Sequence, residues 1–159
     1  MIEAFIASRE VLGPNGFFLW GALIRVNGVV TWSAADSVGR GPLCSLAKAD
    51  CAGVREIIKR LQELRAQSPD AAISLFSDSE ILVGELRGRW QTQRNSPAAL
   101  DECVSQLLSL VPLPDLRYCS RKANPAQGLI TRLCERHGVR EREMDGDRRT
   151  VNASERKSV

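Results

Sequence analysis

At 159 residues, with 43% hydrophobic and 26% charged side chains, the chain has the composition of one well-packed globular domain. Its formal net charge is +3, but residues 136–159 carry seven basic and five acidic side chains and so supply +2 of it. The body is almost neutral, which excludes attraction of a phosphate backbone by the field of the whole protein and leaves only a local basic patch to do it. No apolar run approaches the roughly 20 residues of a membrane span, and the start, with Glu3 and Arg9 around a short apolar stretch, lacks the features of a secretory signal. The cysteines at 44, 51, 103, 119 and 134 are odd in number and form no C-x-x-C pair. They are expected to be reduced, mostly buried thiols, and the protein soluble and cytoplasmic without membrane contact.

Taken in chain order, the first half predicts strands joined by turns. Ile2 to Ala7 is followed by the turn Gly13-Pro14-Asn15-Gly16 and then by the apolar run Phe17 to Val26. Asn27-Gly28 before Val29 to Trp32 is a type I′ hairpin signal. Asp36 to Pro42 is expected to be loop. Val54, Ile57, Ile58, Leu61 and Leu64 then recur at helical spacing up to Ser68-Pro69-Asp70. Ala71 to Phe76 is too short for a helix and suits a buried strand, after which Ser77-Asp78-Ser79 opens a helix to about Leu86.

Ser96-Pro97 is a cap with proline at the first helical position, ahead of the stripe Leu100, Cys103, Val104, Leu107, Leu108 and Val111; Pro112 and Pro114 end it. Leu116 to Cys119 is the fifth strand candidate. Asn124-Pro125 repeats the capping device before Leu129, Ile130, Leu133 and Cys134, and Gly138 stops the helix. The expected order is β-β-β-α-β-α-α-β-α, an α/β domain over residues 1–138, with a disordered charged tail over 139–159.

Two carboxylates draw notice. Asp78 directly follows an apolar strand, at the carboxyl end where open α/β sheets place ligands. Asp50 lies four residues before Val54 and seven before Ile57, on the apolar face of the long helix, where a charge needs compensation. A hard cation such as Mg²⁺ is one form of compensation. Plainer readings stand beside this one: Asp78 as a helix cap, and Asp50 as a first-turn acid favoured by the helix dipole.

The order of elements, together with Gly13-Pro14-Asn15-Gly16 leading into Trp20-Gly21-Ala22-Leu23-Ile24-Arg25-Val26-Asn27-Gly28, resembles type 1 ribonucleases H. Ala49-Asp50-Cys51-Ala52-Gly53-Val54 resembles the helix carrying that family's second acid, with Asp in place of Glu. Ser77-Asp78-Ser79-Glu80 with Val83 and Gly88-Arg89-Trp90 resembles the third-acid motif. Leu116-Arg117-Tyr118-Cys119-Ser120-Arg121 with Asn124 resembles the last strand and the entry to the final helix. The resemblance covers about residues 2–137 and implies a ribonuclease H-like fold, a five-stranded mixed sheet flanked by helices.

It also implies an activity, the two-metal hydrolysis of the RNA strand of an RNA–DNA hybrid with Mg²⁺ or Mn²⁺. The first acid of the pattern falls at Ala7 and the fourth at Gly128, so Asp50 and Asp78 remain as catalytic and metal residues of a vestigial or rearranged site. Glu3 shares the strand face of Ala7, but four residues at about 3.3 Å each leave it roughly 13 Å away. Glu10, beyond Arg9, is the other candidate replacement. The single histidine, His137, falls at the end of the last helix rather than in the loop where the family carries one.

Arg87, Arg89, Trp90 and Arg94 form a basic stretch with an aromatic where the family grips its hybrid, and Arg121, Lys122 and Asn124 lie along the matched site edge. Three functional readings follow. One is a catalytically impaired ribonuclease H-like protein acting by binding nucleic acid or a protein partner. The second is an active Mg²⁺-dependent ribonuclease H with a rearranged site. The third is an assembly role using exposed apolar surface around Phe17, Phe18 and Leu19.

Overall fold

The computed structural model describes residues 1–11, 17–39, 45–92 and 98–137, without the side chains of 89–92 and 98–100. Its elements are β1 (Ile2–Val11), β2 (Phe17–Val26), β3 (Val29–Gly39), α1 (Leu46–Gln67), β4 (Ile73–Ser77), α2 (Glu80–Thr92), α3 (Ala98–Leu108), β5 (Asp115–Tyr118), a 3₁₀ turn (Arg121–Ala123) and α4 (Ala126–Arg136). This is the order expected from periodicity. The strands form one sheet in the order β3-β2-β1-β4-β5. β1 pairs antiparallel with β2 and β2 with β3, whereas β4 runs parallel to both β1 and β5.

Asn27 and Gly28 both hold positive φ, 51° and 81°, as a type I′ turn requires, and join β2 to β3 with Val26 opposite Val29. β3 is longer than the sequence indicates. The stretch from Asp36, expected to be loop, continues as strand to Gly39, because β2 offers paired backbone down to Phe18, with register shifts between Phe18 and Leu19 and between Ile24 and Arg25. β1 likewise runs past Ala7 to Val11.

Both faces of the central strands are covered, which is why β1 and β2 read as near-continuous apolar runs. Ala4, Ile6, Trp20, Ala22 and Ile24 face α1, α2 and α3, packing with Val54, Ile58, Leu61, Leu86 and Leu107. Phe5, Ala7, Val11, Phe17, Leu19 and Leu23 face α4, against Ala126, Ile130 and Cys134. The apolar surface expected around Phe17, Phe18 and Leu19 is therefore not exposed: Phe17 and Leu19 are buried beneath α4 and Phe18 is half-buried on the other face. That removes the surface on which an assembly role was to rest.

α1 begins with Ser45, whose hydroxyl accepts from the Lys48 N–H at 3.2 Å. At α4 the Asn124-Pro125 device works as expected, the Asn124 side chain accepting from the Ala126 N–H at 3.1 Å. Cys103 and Cys134 are buried, while Cys51 and Cys119 are only half-buried. No described helix is long and apolar enough to cross a membrane. The Gly13–Gly16 turn, Cys44, the Ser96-Pro97 cap, Gly138 and the charged tail lie outside the described residues.

Candidate functional site

The parallel pairing of β1 with β4 sets Ile6 beside Ser77, so the residues that follow on each strand, Ala7 to Arg9 and Asp78 to Ser79, emerge at one end of the sheet. Period-two alternation then divides β1. Ser8 turns toward α1 and Arg9 toward α4, and each meets one side of a polar centre.

On the α1 side is Asp50. It lies one turn inside the helix, not in its first turn, because Ser45 starts α1 five residues earlier. The carboxyl is buried, and burial pushes its pKa from 3.8 up to about 6, opposed by hydrogen bonds from Ser8 and Ser79 and reinforced by the nearby Asp78 charge. Its Oδ1 has no hydrogen-bond partner. Asp50 and Asp78, 28 positions apart in the sequence, thus lie near enough for the charge of one to act on the other.

Asp78 is not the cap of α2. That place belongs to Ser79, whose hydroxyl accepts from the Leu82 N–H at 3.1 Å, leaving the Asp78 carboxylate to face α4. There it accepts a 2.6 Å hydrogen bond from Gln127 Nε2. Burial raises the Asp78 pKa, while hydrogen bonds from Gln127 and Asn124 and the Arg121 charge act against the rise. Gln127 Oε1 in turn accepts from the Arg9 guanidinium at 2.5 Å, and both side chains are buried. Since a guanidinium only donates, it fixes which end of the amide faces Asp78. A directed chain runs Arg9 to Gln127 to Asp78.

Asn124 closes the site from below. Its Nδ2 donates to the Ile6 carbonyl at 2.8 Å while its Oδ1 accepts from the Ala126 N–H, pinning the entry of α4 to β1. Replacing it with alanine would leave both backbone groups unpaired in a buried setting. Asn124→Ala is expected to lower the unfolding free energy by about 2 kcal/mol, measured by urea denaturation. An unchanged midpoint would show that water replaces both bonds.

The cationic residues separate into two groups. Arg121 and Lys122 are exposed on the 3₁₀ turn beside Asp78 and present their charges to solvent. Arg87 donates to the Leu116 carbonyl, so part of its guanidinium joins α2 to β5. Arg89 and Trp90 belong to the last turns of α2, with side chains outside the description, and Arg94 lies outside the described residues. His137 caps the C-terminal end of α4, edge-on to Phe17.

Neither proposed replacement for the missing acids reaches the centre. Glu10 is not in a loop but on β1, opposite Phe18, on the face away from Ala7 and roughly 10 Å further along the strand. Ala7 is fully buried under α4, and Gly128 is exposed with nothing within 4 Å of where its Cβ would stand. Among the described residues no three His, Cys, Asp or Glu side chains gather as metal ligands. The unpartnered Asp50 oxygen would suit a cation, but a methyl, a hydrogen atom and an amide donor on Asp78 do not make the ligand set of a two-ion centre.

Sequence reasoning missed Arg9, Gln127, Ser8 and Ser79. The signal for Arg9 was present: continued period-two counting puts it on the face of Phe5 and Ala7, where a charge must find a partner.

No known family profile matches the sequence, and no curated protein matches it. Among solved structures, the chain is similar to LC11-RNase H1, isolated from compost and crystallised with an RNA/DNA hybrid, at 17% identity and a TM-score of 0.62, over 81% of this chain and 93% of that one. It is also similar to the N-terminal RNase H domain of a Mycobacterium tuberculosis protein (18% identity, TM-score 0.56, 79% and 91% covered). A third similar structure is the RNase H domain of the foamy virus PFV (13% identity, TM-score 0.56, 87% and 96% covered). With sheet order, helix placement and these alignments in agreement, the chain has the ribonuclease H-like fold.

Proposed function

We propose that this chain is a ribonuclease H-like protein that binds nucleic acid without cutting it. The observation that carries the reading is the polar centre itself: where hydrolysis on this fold would call for further carboxylates there stand Ala7 and Gly128, and Asp78 is already engaged by Gln127. Binding needs none of those acids. It needs positive charge at the rim, which Arg121 and Lys122 supply from an exposed turn, and which Arg87, Arg89 and Trp90 in the second half of α2, with Arg94 beyond it in sequence, extend. LC11-RNase H1, similar in fold, was solved with an RNA/DNA hybrid, and that duplex is the ligand class we favour.

A second reading has one observation in its favour. Asp50 Oδ1 is buried without a partner beside the Asp78 charge, a place where Mg²⁺ or Mn²⁺ could be held for cleavage of the hybrid. A labelled RNA–DNA hybrid, incubated with either ion beside an Asp78→Asn control and with binding recorded in parallel, separates the two. Binding without cutting is expected; metal-dependent cutting that disappears in the control would establish the enzyme. Neither binding nor cutting would overturn both readings in favour of a protein partner.

For the interface, Arg121→Glu with Lys122→Glu is expected to weaken hybrid binding about tenfold or more at low salt. It should also flatten the log–log salt dependence by about two. An unchanged salt slope would place the phosphates elsewhere.

A further inference from the structure

We infer that Arg9 and Gln127 are a built-in substitute for metal, supplying charge balance to the polar centre and closing Asp78 to a divalent ion. The inference concerns the free protein and goes beyond nucleic-acid binding, which could fail while it stands.

A site of four carboxylates around two dications is balanced by those ions. Here two carboxylates remain, and the chain provides its own cations. Arg9 is buried on the α4 face of β1, two residues past Ala7 and on the same side of the strand. It engages Gln127, and Gln127 engages Asp78 Oδ2 at 2.6 Å. Arg121 adds a second positive charge at the rim.

The chemistry of the chain is one-directional. A metal ion at Asp78 must take a carboxylate lone pair, and the one on Oδ2 that faces α4 is held by an N–H of Gln127 that cannot turn away. Flipping the amide would aim its two hydrogens at the Arg9 guanidinium, which carries only donors. An incoming dication would meet a fixed donor at Asp78 and a guanidinium one side chain behind it, and like charge opposes its entry. The substitutions at Ala7 and Gly128 and the presence of Arg9 and Gln127 are therefore one arrangement: where ligands to metal are missing, a cation and a relay hold the remaining acid.

Arg9 is a positioning residue in this account, so its test reads metal affinity and not activity. Titration calorimetry with Mn²⁺ on the wild-type protein, without nucleic acid, is expected to show no saturable binding. Gly128→Asp adds a carboxylate at an exposed position where a Cβ meets nothing within 4 Å. In that background Arg9→Met, which removes the charge and the donors but keeps the length, should tighten Mn²⁺ binding by about tenfold or more, the range that second-shell partners command. Saturable Mn²⁺ binding by the wild type that is lost in Asp78→Asn would overturn the inference. So would equal Mn²⁺ affinity with and without Arg9→Met. Circular dichroism confirms that each variant is folded, and should the double variant fail to fold, the wild-type titration alone still decides whether the centre is closed to metal.

Discussion

Substituting alanine for Gly21 is expected to lower the unfolding free energy by about 3 kcal/mol. Gly21 sits on β2 opposite Ala7, beneath the first turn of α4. A Cβ there would stand 2.7 Å from the Ala126 carbonyl oxygen and 3.1 Å from Ile130 Cγ1. The first obstacle is helix backbone and cannot rotate aside, so α4 as a whole must lift. Lifting α4 strips cover from Phe5, Ala7 and Leu19 and draws Gln127 away from Asp78, so packing and polar losses arrive together. Gly128→Ala is the control. It lies in the same helix with open space around it, and there alanine should stabilise by up to about 1 kcal/mol through helix propensity. Equal urea midpoints for Gly21→Ala and wild type would mean that α4 is not seated as tightly as these distances require.

Asp50→Asn should stabilise the protein increasingly as pH rises. The carboxyl holds its proton up to about 6 in the folded protein but only to 3.8 when free in water, and burial is the main cause. Because the folded pKa is the higher one, the contribution favouring the fold is fully present below pH 3.8 and is lost as pH climbs through 6. About two pKa units correspond to about 3 kcal/mol, an upper figure for a side chain this buried. Asparagine has no such titration. The difference in unfolding free energy, variant minus wild type, should therefore grow by about 3 kcal/mol between about pH 4 and about pH 8 in paired urea titrations. A difference that stays flat with pH would show that Asp50 is already ionised, or protonated, throughout.

Much of the fold was readable because both periods were strong. The hairpin at Asn27-Gly28, the apolar stripe of α1 and the Asn-Pro entry to α4 are local signals, and local geometry follows from them. The ends of β1 and β3 were not readable, since a strand stops where its neighbour stops and Gly39 is strand only because Phe18 is there to pair with it. The same division runs through the site. Asp50 and Asp78 were visible as carboxylates in the wrong places for solvent. The partner of Arg9 was not, because nothing near it in sequence identifies Gln127, and Asp50 could be placed within its helix only once Ser45 was known to start it.

The separation between those partners has a further consequence for how the molecule is made. Arg9 and Gln127, like Ile6 and Asn124, stand 118 positions apart. The β1-β2-β3 meander can assemble from neighbouring segments early in synthesis, yet Gln127 reaches its inward Arg9 only when α4 arrives. Contacts of such long range are slow to form, because the loop between them must close before they contribute. The contacts that complete the polar centre, Arg9 with Gln127 and Asn124 with Ile6, therefore wait for α4 to pack on the sheet.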